Sequence, residues 1–294
     1  MVVVILTLLR RISMREEVRQ SAKKWLESKK VDAILGLKEN NGHVSPYLFT
    51  KTEELDSLVI SSNTNEVIPR YFPSSKLQRY KKNIIALLEQ KYPNAKIGVV
   101  ARGCDERALI ELAKRNQLDL EKLEVLKVAC TEEDAVACKC EKPYPAKPDI
   151  GEIAEGGSTD LNVDALLNKN LEERSSFWKH ELSKCIKCYG CRNVCPVCFC
   201  VDCILEHDQL AKMGQLPPEN PMFHLIRWYH VADRCIECGE CEKACPVDIP
   251  LVTIFKLLKR DIKEMFGYEA GLDAKQQAPL SIQLDKTTLR SNKQ

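Results

Sequence analysis

Between Arg15 and Lys30, Val18, Ala22, Trp25 and Leu26 recur at helical spacing among lysines and glutamates, which predicts an amphipathic helix. The apolar stretch Val2–Leu9 ahead of it is too short to span a bilayer, which takes about 20 apolar residues. It is expected either as a buried strand or as an extension upstream of a start at Met14. VDAILGL and PYLFT read as strands. Lys76–Gln90 carries Leu77, Tyr80, Ile84, Leu87 and Leu88 on one helical side before the turn residues Tyr92, Pro93 and Asn94. KIGVVARGCDERALIELAKRN is an apolar strand, a glycine turn and a helix opening near Cys104 or Asp105, and LEKLEVLKVAC repeats the strand theme. Residues 15–130 therefore alternate β and α in the manner of an α/β layer with a partly parallel sheet.

Pro143, Pro145 and Pro148, followed by Gly156 and Gly157, mark Glu141–Asp160 as an extended linker and a domain boundary. Residues 161–184 read as helical, Leu251–Phe266 as a closing helix, and the polar tail beyond Ala274 as loose. The expected fold is an α/β N-terminal domain followed by a domain embedded in helices (α+β), whose two C-x2-C-x2-C-x3-C-P runs from Cys185 and Cys235 resemble a ferredoxin-like dicluster domain. The expected boundaries are 1–14 as extension or mis-assigned start, 15–150 as the α/β domain, 151–270 as the dicluster domain and 271–294 as a flexible tail.

Charge narrows the function only by exclusion: 44 Lys plus Arg against 42 Asp plus Glu give a net +2, too balanced for a nucleic-acid surface. Cysteine usage is more telling. None of the fifteen precedes Cys104, four lie from Cys104 to Cys140, and eleven lie from Cys185 to Cys245. The chain start has no secretory pattern, so disulfides are not expected, and reduced metal-ligating thiolates in the cytoplasm account for the count.

CIKCYGCRNVCPV from Cys185 and CIECGECEKACPV from Cys235 share the pattern C-x2-C-x2-C-x3-C-P, an internal repeat displaced by 50 residues. Three thiolates at this spacing wrap one face of a cubane, while the fourth corner lies across the cluster and must come from elsewhere. Paired C-x2-C units also make structural zinc sites, but those do not need the four-Cys run twice with proline behind each. The pattern is that of two-cluster ferredoxins, in which the last Cys of each run serves the other cluster. The resemblance implies two [4Fe-4S] clusters, one on Cys185, Cys188, Cys191 and Cys245 and the other on Cys235, Cys238, Cys241 and Cys195. Lys184, Lys187 and Arg192 flank the first run, whereas Glu237, Glu240 and Glu242 crowd the second. Positive charge favours a reduced cluster, so the Cys185 centre is expected at the higher potential, as electron acceptor of the pair.

The first run continues as CPVCFCVDC, adding Cys198, Cys200 and Cys203, either as iron ligands or as buried thiols lining the first cluster. The stretch resembles the CPxCFC segment of the iron-sulfur beta subunits of cytoplasmic sulfhydrogenases. Cys104 at a strand-to-helix turn and Cys130 at the end of the next strand are expected as neighbours, with Cys138 and Cys140 close behind. These four are candidates for a third cluster; the bland reading makes Cys104 a turn residue and the CKC pair a surface loop. Arg102 and Gly103 are candidates for a flavin-phosphate contact, against a plain capping arrangement in which Asp105 is the cap. In FHLIRWYHVADR, His224 and His230 have a proton-shuttling reading, but Phe223, Ile226 and Trp228 favour a packing helix without a histidine ligand.

With VDAILGL, PYLF, VVARGCDERALIEL and the later VAC and CKCEKP, residues 15 to 150 resemble the beta subunits of formate dehydrogenases and deazaflavin-dependent hydrogenases. The resemblance implies a flavin (FAD) and a cluster beside this module, and catalytic and electron-transfer subunits of a redox complex as partners. The chain is shorter than the usual beta subunits and carries a ferredoxin module where they have a long flavin-binding portion. The expected function is therefore an electron-transfer subunit of an anaerobic cytoplasmic oxidoreductase, with no catalytic residue of its own, no nucleic-acid partner and no transmembrane segment. One rival is a flavin-dependent oxidoreductase with its own substrate site near Cys104; another is a non-redox scaffold stabilised by metal.

Overall fold

The computed structural model describes residues 2–60, 88, 91–153, 161–200, 202–207 and 222–281. The helix expected over Lys76–Gln90 lies outside them except for Leu88, which is helical. Helix α1 (Val2–Glu27) runs without a break through Met14. The strand expected at Val2–Leu9 is thus helical, and the boundary expected after residue 14 falls inside a helix. An eight-residue apolar run carries no periodicity that separates strand from helix, and here continuity with the amphipathic segment decides. Met14, Val18 and Ala22 of α1 are buried on one face, at helical spacing.

Strands β1 (Ala33–Asn40), β2 (His43–Phe49), β3 (Leu58–Val59), β4 (Ile97–Arg102) and β5 (Leu123–Val128) form one sheet in the order β2-β1-β4-β5, with β3 paired to β1. β1 runs antiparallel to β2 and β3, while β1, β4 and β5 run parallel, in registers such as Leu35↔Val99 and Val99↔Val125. Every residue of β4 is buried, so both of its faces are covered. Side chains alternate between the faces. Ile34 and Val100 join Met14, Val18 and Ala22 under α1, whereas Leu35, Val99 and Ala101 face a second core with Leu109 and Leu112. Those two leucines belong to α2 (Gly103–Ala113), which follows β4 directly.

The remaining helices are α3 (Glu132–Ala137), α4 (Leu161–Leu167), α5 (Leu171–Ser183), α6 (Gly190–Asn193), α7 (Met222–Val231), α8 (Glu240–Lys243) and α9 (Leu251–Phe266). The strands among the described residues all precede Ala129, and the C-terminal half is helices and turns. This is the expected mixed α/β layer followed by a helical dicluster region. The boundary expected at residue 150 does not divide the packing, however. Leu35, Val99 and Leu109 share one core with Val197, Trp228, Ile249 and Phe255. The proline-rich stretch expected as a linker is docked up to Asp149 and Ile150. Cys130 N–H donates to the Pro143 carbonyl (2.8 Å), Ile150 bridges Val128, and a Cβ on Gly103 would lie 2.3 Å from the Tyr144 carbonyl oxygen. Prolines cannot donate, but their carbonyls accept, and extended chain supplies the sheet with acceptors at its margin.

The tail expected to be loose from residue 271 is also anchored, as far as the described residues reach. Glu111 of α2 is fully buried and accepts from Lys114 Nζ (2.9 Å), Arg115, the Tyr268 hydroxyl (3.0 Å) and the Gly271 N–H (2.8 Å). Leu280 N–H donates to Asp233 (3.0 Å), and Ala278 is buried. Glu111→Ala leaves two cations and two donors without their acceptor in a dry site. We expect a loss of about 3 kcal/mol or more of unfolding free energy by chemical denaturation, with Glu111→Gln costing less because it still accepts.

Candidate metal centre

The two cysteine runs repeat in backbone as well as in sequence. φ is +54° at Lys187 and +61° at Tyr189, and at the positions fifty residues on it is +55° at Glu237 and +77° at Gly239. Left-handed residues at these places coil each loop so that successive N–H groups turn inward. Lys187 N–H donates to Cys185 Sγ and Gly190 N–H to Cys188 Sγ, both at 3.4 Å. Each run then closes with a single helical turn, α6 or α8. Tyr189, which carries a side chain where the second run has glycine, bears about 1–2 kcal/mol of backbone strain. Its hydroxyl donates to the Leu205 carbonyl (2.7 Å) and its ring meets Phe223 edge-on, which holds it there.

The thiols are brought together across the repeat. Cys195, from the end of the first run, lines a cavity of about 410 Å³, mouth included, with Cys235, Cys238 and Cys241 of the second. Cys245, from the end of the second, is an electrostatic neighbour of Cys185 and Cys191, which also feel Cys188. Close approach of the runs makes this exchange possible: a Cβ on Gly190 would sit 2.9 Å from the Ala244 carbonyl oxygen. None of the fifteen cysteines is in a disulfide. Burial pushes Cys235 up to about 12 and holds Cys241 well above its ordinary value. These pockets therefore do not hold bare thiolates; a metal must bring the countercharge. Among the described residues no three Cys, His, Asp or Glu are spaced for a single metal ion, and the thiols stand around cavities instead.

Between these two thiol groups lies Arg227 of α7, 3% exposed. Its Nη2 donates to the Cys191 carbonyl (2.6 Å), its guanidinium lies 5.2 Å from the Phe255 ring, and Nε and Nη1 find no partner among the described residues. Its nearest anionic candidates are Cys191, Cys198, Cys195 and Cys241. A buried guanidinium without a counterion is costly, and a cluster with its thiolates is an anion. The donor set and the orphaned cation both fit such a group. Sequence reading missed Arg227, because one Arg in an otherwise apolar helix reads as surface charge.

Cys104, Cys130, Cys138 and Cys140 line another cavity of about 430 Å³, and Cys238 and Glu237 form part of its wall. The convergence expected from adjacent parallel strands is present. Arg102 lines the same cavity, but its Nε is held by Asp105 at 2.7 Å and the Arg102 N–H donates to the same carboxylate at 3.1 Å. With Gly103 sealed against Tyr144, this end of α2 is a capping arrangement, but the cap position is Arg102, and Asp105, expected as the cap, is the third helical residue reaching back to it. Cys198, Cys200 and Cys203 line a further cavity with Arg192, Arg234 and His230. His224 is buried among Phe223 and Trp228, and burial, then Arg227, lower it to about 4, so it is a neutral packing residue.

The charge asymmetry between the runs is largely cancelled in the fold. Glu237 pairs with Lys259, Glu240 with Lys243 (3.9 Å) and Glu242 with Lys139 (2.8 Å). On the first run Lys184 pairs with Glu181 (2.8 Å) and Arg192 with Glu206 (2.9 Å). The expected ordering of potentials rested on uncompensated charge, and its basis is removed.

Residues 181–249, the stretch that holds both cysteine runs, match the family model of the 4Fe-4S dicluster domain. The chain is similar to two curated proteins. It is 47% identical over 108 residues to the F420-dependent formate dehydrogenase subunit beta of Methanocaldococcus jannaschii, which is 36% of this chain and 28% of that protein. It is 41% identical over 138 residues to the F420-dependent formate dehydrogenase 1 subunit beta of Methanococcus maripaludis, covering 46% and 35%. The chain thus spans about a third or less of the length of the relatives it matches.

Arg227→Gln removes the orphaned positive charge next to the iron-sulfur module. Reduction adds negative charge, so the variant's midpoint potentials are expected to fall in a spectroscopic titration. By Coulomb's law at an effective dielectric near 20, removing a unit charge adjoining the cluster ligands is expected to lower the potential by on the order of 100 mV. Arg227→Lys should retain most of the wild-type value.

Proposed function

We propose that the chain is an iron-sulfur electron-transfer subunit of a formate-dehydrogenase-type or hydrogenase-type oxidoreductase complex, working in the reducing cytoplasm. The observation that supports this is that Cys195 lines one cavity with Cys235, Cys238 and Cys241, while Cys245 is an electrostatic neighbour of Cys185 and Cys191. On this reading Cys185, Cys188, Cys191 and Cys245 hold one [4Fe-4S] cluster, and Cys235, Cys238, Cys241 and Cys195 hold the other. When bound, the clusters supply one-electron storage; the chain's own residues hold them, dry their surroundings and set their charge. Cys104, Cys130, Cys138 and Cys140 are proposed to hold a third cluster. Support comes from the single cavity they line and from Cys238 in its wall, which makes it a neighbour of the second-run site. Domain-like modules at 15–150 and 151–270 are proposed as functional units that share one core.

The formate dehydrogenase reading draws on the printed names of the two relatives, and substrate chemistry is assigned to a partner subunit. No helix among the described residues is long and apolar enough to cross a membrane. A flavin contact at Arg102 and Gly103 gains no support, since Asp105 occupies the guanidinium and Tyr144 the space over the glycine.

Anaerobic purification from the native host, with iron, sulfide and flavin counted in whatever co-purifies, tests the assignment; a colourless, iron-free product overturns it. The exchange itself is tested by Cys195→Ser and Cys245→Ser. Cys195→Ser is expected to alter the electron paramagnetic resonance of the Cys235 centre and leave the Cys185 centre intact, and Cys245→Ser to do the reverse. Loss confined to the variant's own run overturns the exchange.

A further inference from the structure

The geometry points to a further iron-sulfur centre held by Cys198, Cys200, Cys203 and His230. It goes beyond the clusters assigned above and uses none of their ligands. The three thiols and the imidazole line one cavity of about 640 Å³, mouth included, larger than the cavities of about 430 and 410 Å³ lined by the other cysteine sets. Proline 196 ends the first run, and the chain then returns on itself: Cys198 N–H donates to the Cys195 carbonyl (3.2 Å), and Glu206 N–H to the Cys203 carbonyl (2.8 Å). The loop so formed presents the C-x-C-x2-C spacing to the same side as the end of α7.

His230 completes the donor set by its hydrogen bonding. Its Nδ1 lies 2.7 Å from the Ile226 carbonyl oxygen. A carbonyl only accepts, so Nδ1 carries the proton and Nε2 keeps its lone pair, the tautomer that binds a metal. The cavity's cationic wall argues for an anionic occupant. Arg192 and Arg227 are 5% and 3% exposed and line it, and in each Nε and Nη1 find no partner among the described residues. Arg234 adds a third guanidinium, its Cζ 5.7 Å from the Phe199 ring and its Nε 3.7 Å from the Asp233 carboxylate. Glu206 meets Arg192 (2.9 Å) and Asp233 meets Arg234 (3.7 Å), so the positive charge that three thiolates around a cluster chiefly answer is that of Arg227. A single ion fits less well, since no three donors among the described residues are spaced for one.

Position gives the centre a role. Cys200 and His230 are exposed, so it lies at the surface, and Val197, Arg227 and Val231 belong both to its wall and to that of the cavity bearing Cys195. It is the outward end of a row of redox sites. Imidazole in place of thiolate raises a cluster's potential, so it suits an electron acceptor facing a partner protein.

The test uses the full chain, purified and loaded anaerobically. Cys200→Ser/Cys203→Ser is expected to lose one cluster's complement of iron and acid-labile sulfide relative to wild type, with the signals of the Cys185 and Cys235 centres unchanged. Electron spin-echo spectra of the reduced wild type are expected to show imidazole nitrogen coupling that His230→Gln abolishes, and His230→Cys is expected to keep the iron at a lower potential. His230 is exposed, so its variants report even if the double cysteine variant fails to fold. Unchanged iron in the double variant, loss of zinc in place of iron, or nitrogen coupling that survives in His230→Gln overturns the site. Absence of the Cys185 and Cys235 signals from wild type tells instead against the function proposed above.

Discussion

An arginine buried with two of its nitrogens unpartnered does not belong in an apolar core unless something negative is brought to it. Among the described residues Arg227 is in that position; of the thiols around it, burial raises Cys191 and Cys241, while the hydrogen bond from Cys195 and the nearby guanidinium groups lower Cys198 to about 6. Among the described residues, then, Arg227 has no carboxylate partner at the meeting point of two cysteine-lined cavities, and only thiols to answer its charge. A cluster ligated by thiolates resolves both problems at once, because it deprotonates the thiols and supplies the anion. Folding and cofactor loading are for that reason coupled in this half of the molecule, as they are wherever a site's ligands are costly to bury without the metal.

The sheet matters to the iron-sulfur module through shared packing. Val99 and Leu109 on one face of the α/β layer lie in the same core as Trp228, Ile249 and Phe255, and Glu111 ties α2 to the segment after α9. The cavity lined by Cys104, Cys130, Cys138 and Cys140 takes part of its wall from Cys238 of the second run. A rigid interface between the halves keeps that adjacency fixed. A loosely tethered ferredoxin domain would not, since each opening of the interface would change the distance between sites.

Much of this was legible in the sequence, for identifiable reasons. The C-x2-C-x2-C-x3-C-P runs carry their geometry in their spacing, and the adjacency of Cys104 and Cys130 follows from parallel strand order. Leu251–Phe266 is the helix its periodicity predicts. What escaped depends on contacts distant in the chain. The tail is held by Glu111, 160 residues earlier, and the proline-rich segment is docked by backbone pairing that composition does not record. Val2–Leu9 is helical because it continues α1, which no local window decides. His230 read as an incidental member of a packing helix, since a ligand is identified by the tautomer its second nitrogen imposes, and that requires knowing where the Ile226 carbonyl lies.

The same limit applies to charge. In the sequence, three basic residues near one run and three acidic ones near the other suggest two different electrostatic environments. In the fold, Lys259, Lys243 and Lys139 meet the acids, and Glu181 and Glu206 meet two of the bases. Glu237 with Lys259, Glu240 with Lys243 and Arg192 with Glu206 are largely buried pairs, each close to neutral as a unit. What remains to distinguish the sites is buried: Arg227 between the two cavities, and the inward N–H groups of the left-handed loops. Those loops are matched between the runs, so they raise both potentials together. The shared guanidinium does the same. On the proposed assignment a dicluster module built this way is tuned as a unit, and a potential step along the row of proposed sites must arise at its ends, where Cys104, Cys130, Cys138 and Cys140 line one cavity and the Cys198 cavity opens to solvent beside an imidazole.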